Sequence, residues 1–210
     1  MTTTTSDGIE PPNIHALLLE FLGLFSHVQD VIDKVVTKIY FNKRIPKASA
    51  VVWRLAVSRI RDDERIKLFL AIAEDLDTDA DLSNFGAIYN RVKSHRDLAG
   101  HSARFTTTSP DQIRIRRTLV LGPANDGKTD VVELDRNQVV DSLRDCDWLV
   151  AQMLYVVFAS DLVAGAYLGD TPIAYQRPAS RPEDWEGNIY PNMQSDGSAA
   201  RIGDSFGHAA

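Results

Sequence analysis

LVLGPANDGKTDVVELD, Leu119 to Asp135, is the stretch whose reading decides between two folds. From Gly122 to Thr129 it spells G-x-x-x-x-G-K-T, the pattern of a phosphate-binding P-loop in an α/β nucleotide triphosphatase. Such a loop needs a strand before its glycines and a helix after its Lys-Thr, because the first N–H groups and the dipole of that helix hold the phosphates. The strand is present: Ile113, Ile115, Leu119 and Leu121 occupy alternating positions. The helix is not. Thr129, Val131 and Val132 are β-branched, and the run to Leu134 reads as a second strand. Asn125-Asp126-Gly127 is turn chemistry, and Asp130 would repel a phosphate. The stretch therefore predicts a β-hairpin, with strands over 112–121 and 128–134, and leaves a triphosphatase as a minor alternative.

Around this hairpin the chain is helical. Asn13 is an N-cap for a first helix whose apolar stripe is Ile14, Leu18, Phe21, Phe25, Val28, Ile32, Val35 and Ile39. The four-three spacing predicts one long amphipathic helix ending before Pro46. A second helix is expected from Ser49 to Ile60, a third from Asp63 to Leu76, and a fourth from Ser83 or Asn84 into SHRDLAGHS. DLDTDAD is an acidic loop between the last two. The final helix is expected over Arg136 to Leu168, opened by a capping box of Asp135 and Gln138. Its stripe is Val139, Leu143, Cys146, Val150, Met153 and Val157. Stripes of this kind on two long helices favour near-antiparallel packing. The fold class expected is mainly α: a bundle of about five helices with an inserted β-hairpin, about 112–135, before the last long helix. A lone hairpin is marginal in water, so it must pack on the bundle or on a partner.

Length and composition bound the rest. The chain of 210 residues suits one domain plus tails. Thr-rich residues 1–12 read as disordered, 13–170 as the helical domain, and 171–210, rich in Pro, Gly, Ser and Asp, as a flexible tail. A net charge of −6 argues against a protein that mainly coats nucleic acid, though not against a local basic site. A single cysteine, Cys146, excludes a disulfide framework within a monomer and suits a reducing cytoplasm. The N-terminus has no signal-peptide pattern. The longest apolar run, Trp148 to Ala159, is too short to span a bilayer.

Chemistry concentrates in RVKSHRDLAGHS, Arg91 to Ser102. Arg96 and His101 lie five positions apart, about 140° around a continuous helix, whereas Asp97 and His101 lie four apart and would face each other. Gly100 would loosen the turn between them. A carboxylate beside an imidazole fixes its tautomer and raises its pKa, which suits acid–base work near neutral pH. An arginine offers a fork for phosphate oxygens.

RDLAGH, Arg96 to His101, resembles the R-polar-x(3–5)-H signature of the HEPN superfamily, the higher eukaryote and prokaryote nucleotide-binding domains. The resemblance extends to the helical region 14–168 through its helix count and the motif at the end of an interior helix. It implies a metal-independent RNA endonuclease of toxin–antitoxin, phage-defence or RNA-processing systems, without cofactor or metal. His101 would be the acid or base, Arg96 the phosphate clamp, and Asp97 the residue that orients His101. His95, Lys93 and Arg91 would contact the RNA, with His95 a local alternative for a second acid–base role. One motif supplies few proton-transfer groups, so the reading implies a homodimer that brings two motifs together. An antitoxin-type protein is a further implied partner.

Other readings stand beside this one. The chain could be a non-catalytic HEPN-like module for a nucleotide or a protein. Arg96 and His101 could simply satisfy helix-end carbonyls, or His95, Asp97 and His101 could bind a metal. Arg114, Arg116 and Arg117 could touch RNA phosphates, or lie on a solvated strand face. Trp53 and Trp148 are more often core than stacking platforms, and Cys146, on an apolar stripe, reads as a packed thiol.

Overall fold

In the computed structural model the described residues are 13–55, 57–100, 102–117, 131–163, 166–168, 171–173 and 175–187. They form a mainly helical fold with a small antiparallel sheet before the last long helix. Helix α1 (Ile14–Asp33) begins where the Asn13 side chain accepts from the Ala16 N–H at 2.9 Å. It runs without a break into a π-helical segment, Lys34–Phe41, and a last turn α2 (Asn42–Arg44), so the long first helix expected from the stripe is present. At the change of winding the Thr37 hydroxyl donates to the Asp33 carbonyl four residues back, competing with the backbone for that acceptor. Helix α3 (Ser49–Leu55) is shorter than expected, and Val57–Arg59 form a 3-10 turn. Helix α4 (Asp62–Asp75) and helix α5 (Phe85–Gly100) follow, close to their expected bounds.

Strands β1 (Ser102–Ser109), β2 (Gln112–Arg117) and β3 (Val131–Asp135) form one sheet in the order β1-β2-β3, antiparallel throughout. β2 and β3 pair antiparallel from Gln112↔Asp135 to Arg116↔Val131, as expected of the two strands. The turn at Asn125-Asp126-Gly127 and the G-x-x-x-x-G-K-T segment itself lie outside the described residues. A strand, Val131–Asp135, stands where a P-loop would have its helix. β1 was not foreseen. Phe105 to Thr108 are exposed, so this edge strand is held by its ladder to β2 rather than by an alternating apolar pattern. Ile113, Ile115 and Leu134 are buried and seat the sheet on the bundle.

Helix α6 (Arg136–Ala159) opens with the expected capping box: Asp135 accepts from the Gln138 N–H and Gln138 from the Asp135 N–H, both at 2.9 Å. It ends at Ala159 rather than Leu168. There the Ser160 hydroxyl donates to the Val157 carbonyl and accepts from the Leu162 N–H, closing the helix. β4 (Ala166–Leu168) and β5 (Thr171–Ile173) then form a short antiparallel pair.

The packing of the two long helices differs from expectation. The α1 N-terminus meets the sheet through a His15–Thr107 hydrogen bond, and α6 starts directly from β3. Their far ends are joined by a two-pronged Arg44–Asp161 pair at 3.0 and 3.1 Å. The two helices therefore run parallel, and α5, which ends at the sheet, runs antiparallel to both. Connections through the intervening helices and the sheet make this possible.

Residues 175–187, read from composition as part of a flexible tail, lie against the bundle. The Trp148 indole and the Gln152 amide both donate to the Ala179 carbonyl, at 2.7 and 3.1 Å, and Asn84 donates to the Ser180 carbonyl at 3.1 Å. Tyr175 stacks on Phe158 with ring centroids 4.0 Å apart. Partly buried carbonyls that accept from side chains of the bundle outweigh a composition that reads as polar. Among the described residues, no helix is long and apolar enough to cross a membrane.

Candidate functional site

Helix α5 carries every described residue of the candidate motif, and its 3.6-residue period divides them between two faces. Arg91 and His95 look towards α6. Lys93, Arg96 and Asp97 look towards α4 and α1. His101 lies outside the described residues, so the expected Asp97–His101 pairing has no geometry here.

Arg96 is held on three sides. Its guanidinium donates to Asp62 at 2.9 Å, contacts Asp97 at 3.1 Å, and lies 4.9 Å over the Phe25 ring. Its Nε is buried with no partner among the described residues, while the side chain as a whole is 26 % exposed. Asp62 is the first residue of α4, where the helix dipole favours a carboxylate, and the same oxygen accepts from Gln29 at 2.8 Å. Asp97 also accepts from Lys93 at 2.9 Å. Two cations, Lys93 and Arg96, thus face two carboxylates, Asp62 and Asp97. The cluster has no surplus positive charge, so an incoming phosphate must displace a carboxylate from Arg96 rather than fill an empty fork.

On the other face, Arg91 donates through Nε and a terminal nitrogen to both oxygens of Asp145, at 2.8 and 2.7 Å, with Glu183 3.7 Å away. Asp145 is only 3 % exposed. Burial pushes its carboxyl up, and the Arg91 fork pulls it back. His95 Nδ1 lies 2.7 Å from the Ser142 oxygen. The Ser142 hydroxyl also lies 2.8 Å from the Gln138 carbonyl four residues back, so it is shared between the imidazole and its own helix. Burial holds the His95 pKa below its usual value, with Asp145 opposing and Arg91 reinforcing that shift.

Of the three residues expected to contact RNA, Lys93 therefore meets Arg96 at Asp97, whereas Arg91 and His95 face Asp145 and Ser142 on the other side of the helix. His95 and Asp97 also point to different neighbours, Ser142 and the Lys93–Arg96 pair, which separates the two described members of the alternative metal-binding set. Among the described residues no group of three or more His, Cys, Asp or Glu is placed to hold a metal ion. Arg114 is ion-paired across the sheet to Glu133 at 2.7 Å. Trp148 and Cys146 are fully buried, as their positions on α6 suggested.

Four residues of the cluster escaped the sequence: Gln29, Asp62, Ser142 and Asp145. Asp62 follows Arg61 in RDDER, one residue ahead of the helix start expected at Asp63, and nothing in the sequence marks it as the partner of Arg96. Asp145 and Ser142 belong to the α6 face that packs on α5, which is wider than the stripe read from Val139 to Val157. The chain matches no family model, no curated protein and no solved structure.

Proposed function

We propose that this chain is a HEPN-like, metal-independent RNA endonuclease that acts as a homodimer. The observation that carries the reading is the placement of Arg96: a partly buried, carboxylate-held guanidinium on the last turns of an interior helix, five residues ahead of His101. A side chain fixed before substrate arrives is what transition-state stabilisation requires. In this reading the scissile phosphate exchanges with Asp62 or Asp97 on Arg96. His101 takes the proton from the 2′-hydroxyl or gives one to the leaving oxygen, and Asp97 tunes it. The second proton-transfer group comes from the partner copy, because His95 faces Ser142 of α6, away from Arg96. A cytoplasmic setting and an antitoxin-type partner belong to the same reading.

A second reading has its own support. The charges around Arg96 balance without any ligand, which suits a non-catalytic HEPN-like binding module in which Arg96 braces α5 against α4.

End-labelled RNAs incubated in excess EDTA separate the two. The nuclease reading expects cleavage leaving a 2′,3′-cyclic phosphate, and resistance when the cut site carries a 2′-O-methyl group. His101→Ala should lower the rate by roughly 10²–10⁴-fold and Arg96→Ala by roughly 10²–10³-fold. Asp97→Asn should act more mildly and move the pH optimum down. Unchanged cleavage in folded His101→Ala sinks the mechanism, and failure to cut any RNA puts the binding module ahead. Light scattering that shows only monomer at high micromolar concentration would count against the dimer.

A further inference from the structure

Where α1 changes winding, its surface borders a groove of about 520 Å³ whose lining includes Asp30, Asp33, Lys34, Lys38, Asn42 and Trp53. Three independent features mark it. Stretches of π-helix are rare and occur often at functional sites, and this one supplies Lys34 and Lys38 to the groove. Asp33 gives one oxygen to Arg65 at 3.2 Å, while its Oδ1 is buried with no partner among the described residues. A segment serving only to pack would lose little if Asp33 and Arg65 were both replaced by apolar residues of like shape. Finally, Trp53 is half-buried here, unlike the fully buried Trp148, and so leaves part of an aromatic surface at the groove.

The lining selects a ligand class. Lys34 is paired with Asp30 on its own helix and Asp33 with Arg65 of α4, whereas exposed Lys38 makes no ion pair among the described residues and acts on Asp30 only at longer range. One cation beyond the paired charges suits one anionic group. Trp53 suits a flat ring, and Asn42 offers both a donor and an acceptor. A phosphate and a flat heteroaromatic ring in one ligand describe a nucleotide. The groove also adjoins the Arg96 cluster: Gln29, one turn ahead of Asp33 on α1, donates to the Asp62 carboxylate that holds Arg96. From Gln29 to Lys38 is about 13 Å along the helix, the scale of a short single strand.

We infer that this groove binds an unpaired nucleotide of RNA, its base against Trp53 and its phosphate at Lys38, as a subsite flanking Arg96. The inference rests on the RNA reading above but not on catalysis. Fluorescence anisotropy with a short, fully 2′-O-methylated oligoribonucleotide tests it, since this probe keeps base and phosphate but resists the proposed cleavage. Wild-type chain should bind. Trp53→Ala and Lys38→Glu should each weaken binding on the order of tenfold, Trp53→Phe should retain most of it, and Arg144→Glu on α6, with the same charge change, should bind as wild type. Circular dichroism checks that each variant is folded, and the exposed Lys38 keeps the test open if Trp53→Ala is not. No binding by wild type, or equal binding by Lys38→Glu and Arg144→Glu, overturns the subsite. Weakened binding in a protein that cuts no RNA keeps the groove and removes the nuclease. Cleavage lost in His101→Ala but indifferent to the groove variants does the reverse.

Discussion

His95 is half-buried against Ser142 of α6, and that burial makes a pH prediction. Burial lowers the imidazole pKa below its usual 6.5, so the folded chain binds fewer protons there than the unfolded chain. The stability tied to neutral His95 is present above about pH 6.5 and is lost as pH falls through the lower folded value. Asp145 acts in the opposite sense, since burial raises its carboxyl and the stability it contributes is lost as pH rises through the raised value. Urea titrations at about pH 7.5 and about pH 5.5 should show wild type less stable at the lower pH. His95→Asn, which can still hydrogen-bond Ser142 but does not titrate, should narrow the gap. An unchanged gap would show that His95 is not its source. At this scale the sequence exposed the ionisable residues of α5 but not their partners. Spacing places Arg91 and His95 on one face and Arg96 on another, yet only tertiary packing brings Asp62 and Asp145 to them.

Helices announced themselves through stripes and caps, and the caps carry measurable stability. Asp135→Ala removes a side-chain acceptor from the Gln138 N–H and should cost about 1 kcal/mol. For a chain of this size that is a fall in Tm of roughly 2–4 °C, read by calorimetry, and no change would show that the cap is redundant. The hairpin was legible because Ile113 and Ile115 alternate with arginines and face the core. β1 was not, because SARFTTTS contributes backbone hydrogen bonds and little burial. The end of α6 was misplaced by nine residues, Ala159 against Leu168, because the apolar run continues past the point where Ser160 turns its hydroxyl back on the helix. The π-helical winding likewise leaves no mark on the apolar spacing, which runs through Val35 to Ile39 undisturbed.

Across the whole molecule, segment 175–187 ties α5 to α6 from outside. Trp148, with none of its surface exposed, reaches through α6 to the Ala179 carbonyl. Trp148→Phe keeps an aromatic core but deletes the donor and part of the volume, leaving Gln152 to hold that carbonyl alone. The expected loss is about 2 kcal/mol, together with faster amide hydrogen exchange across 175–187. Exchange there that matches wild type would mean the segment is held by Phe158–Tyr175 and Asn84 without the indole. Composition could not disclose this segment's position, since Pro, Ser and Arg describe a solvated chain equally well when its carbonyls happen to be bound.

The parallel pairing of α1 with α6 also governs the order in which the polypeptide can consolidate as it leaves the ribosome. The α1 surface that α6 covers is made early, but its cover is complete only once residues near Val157 have emerged. At ordinary elongation rates that interval is on the order of ten seconds. During it α4 and α5 can shield only part of that surface, and the nascent chain presents an uncovered apolar ridge to chaperones and to its neighbours on the same message.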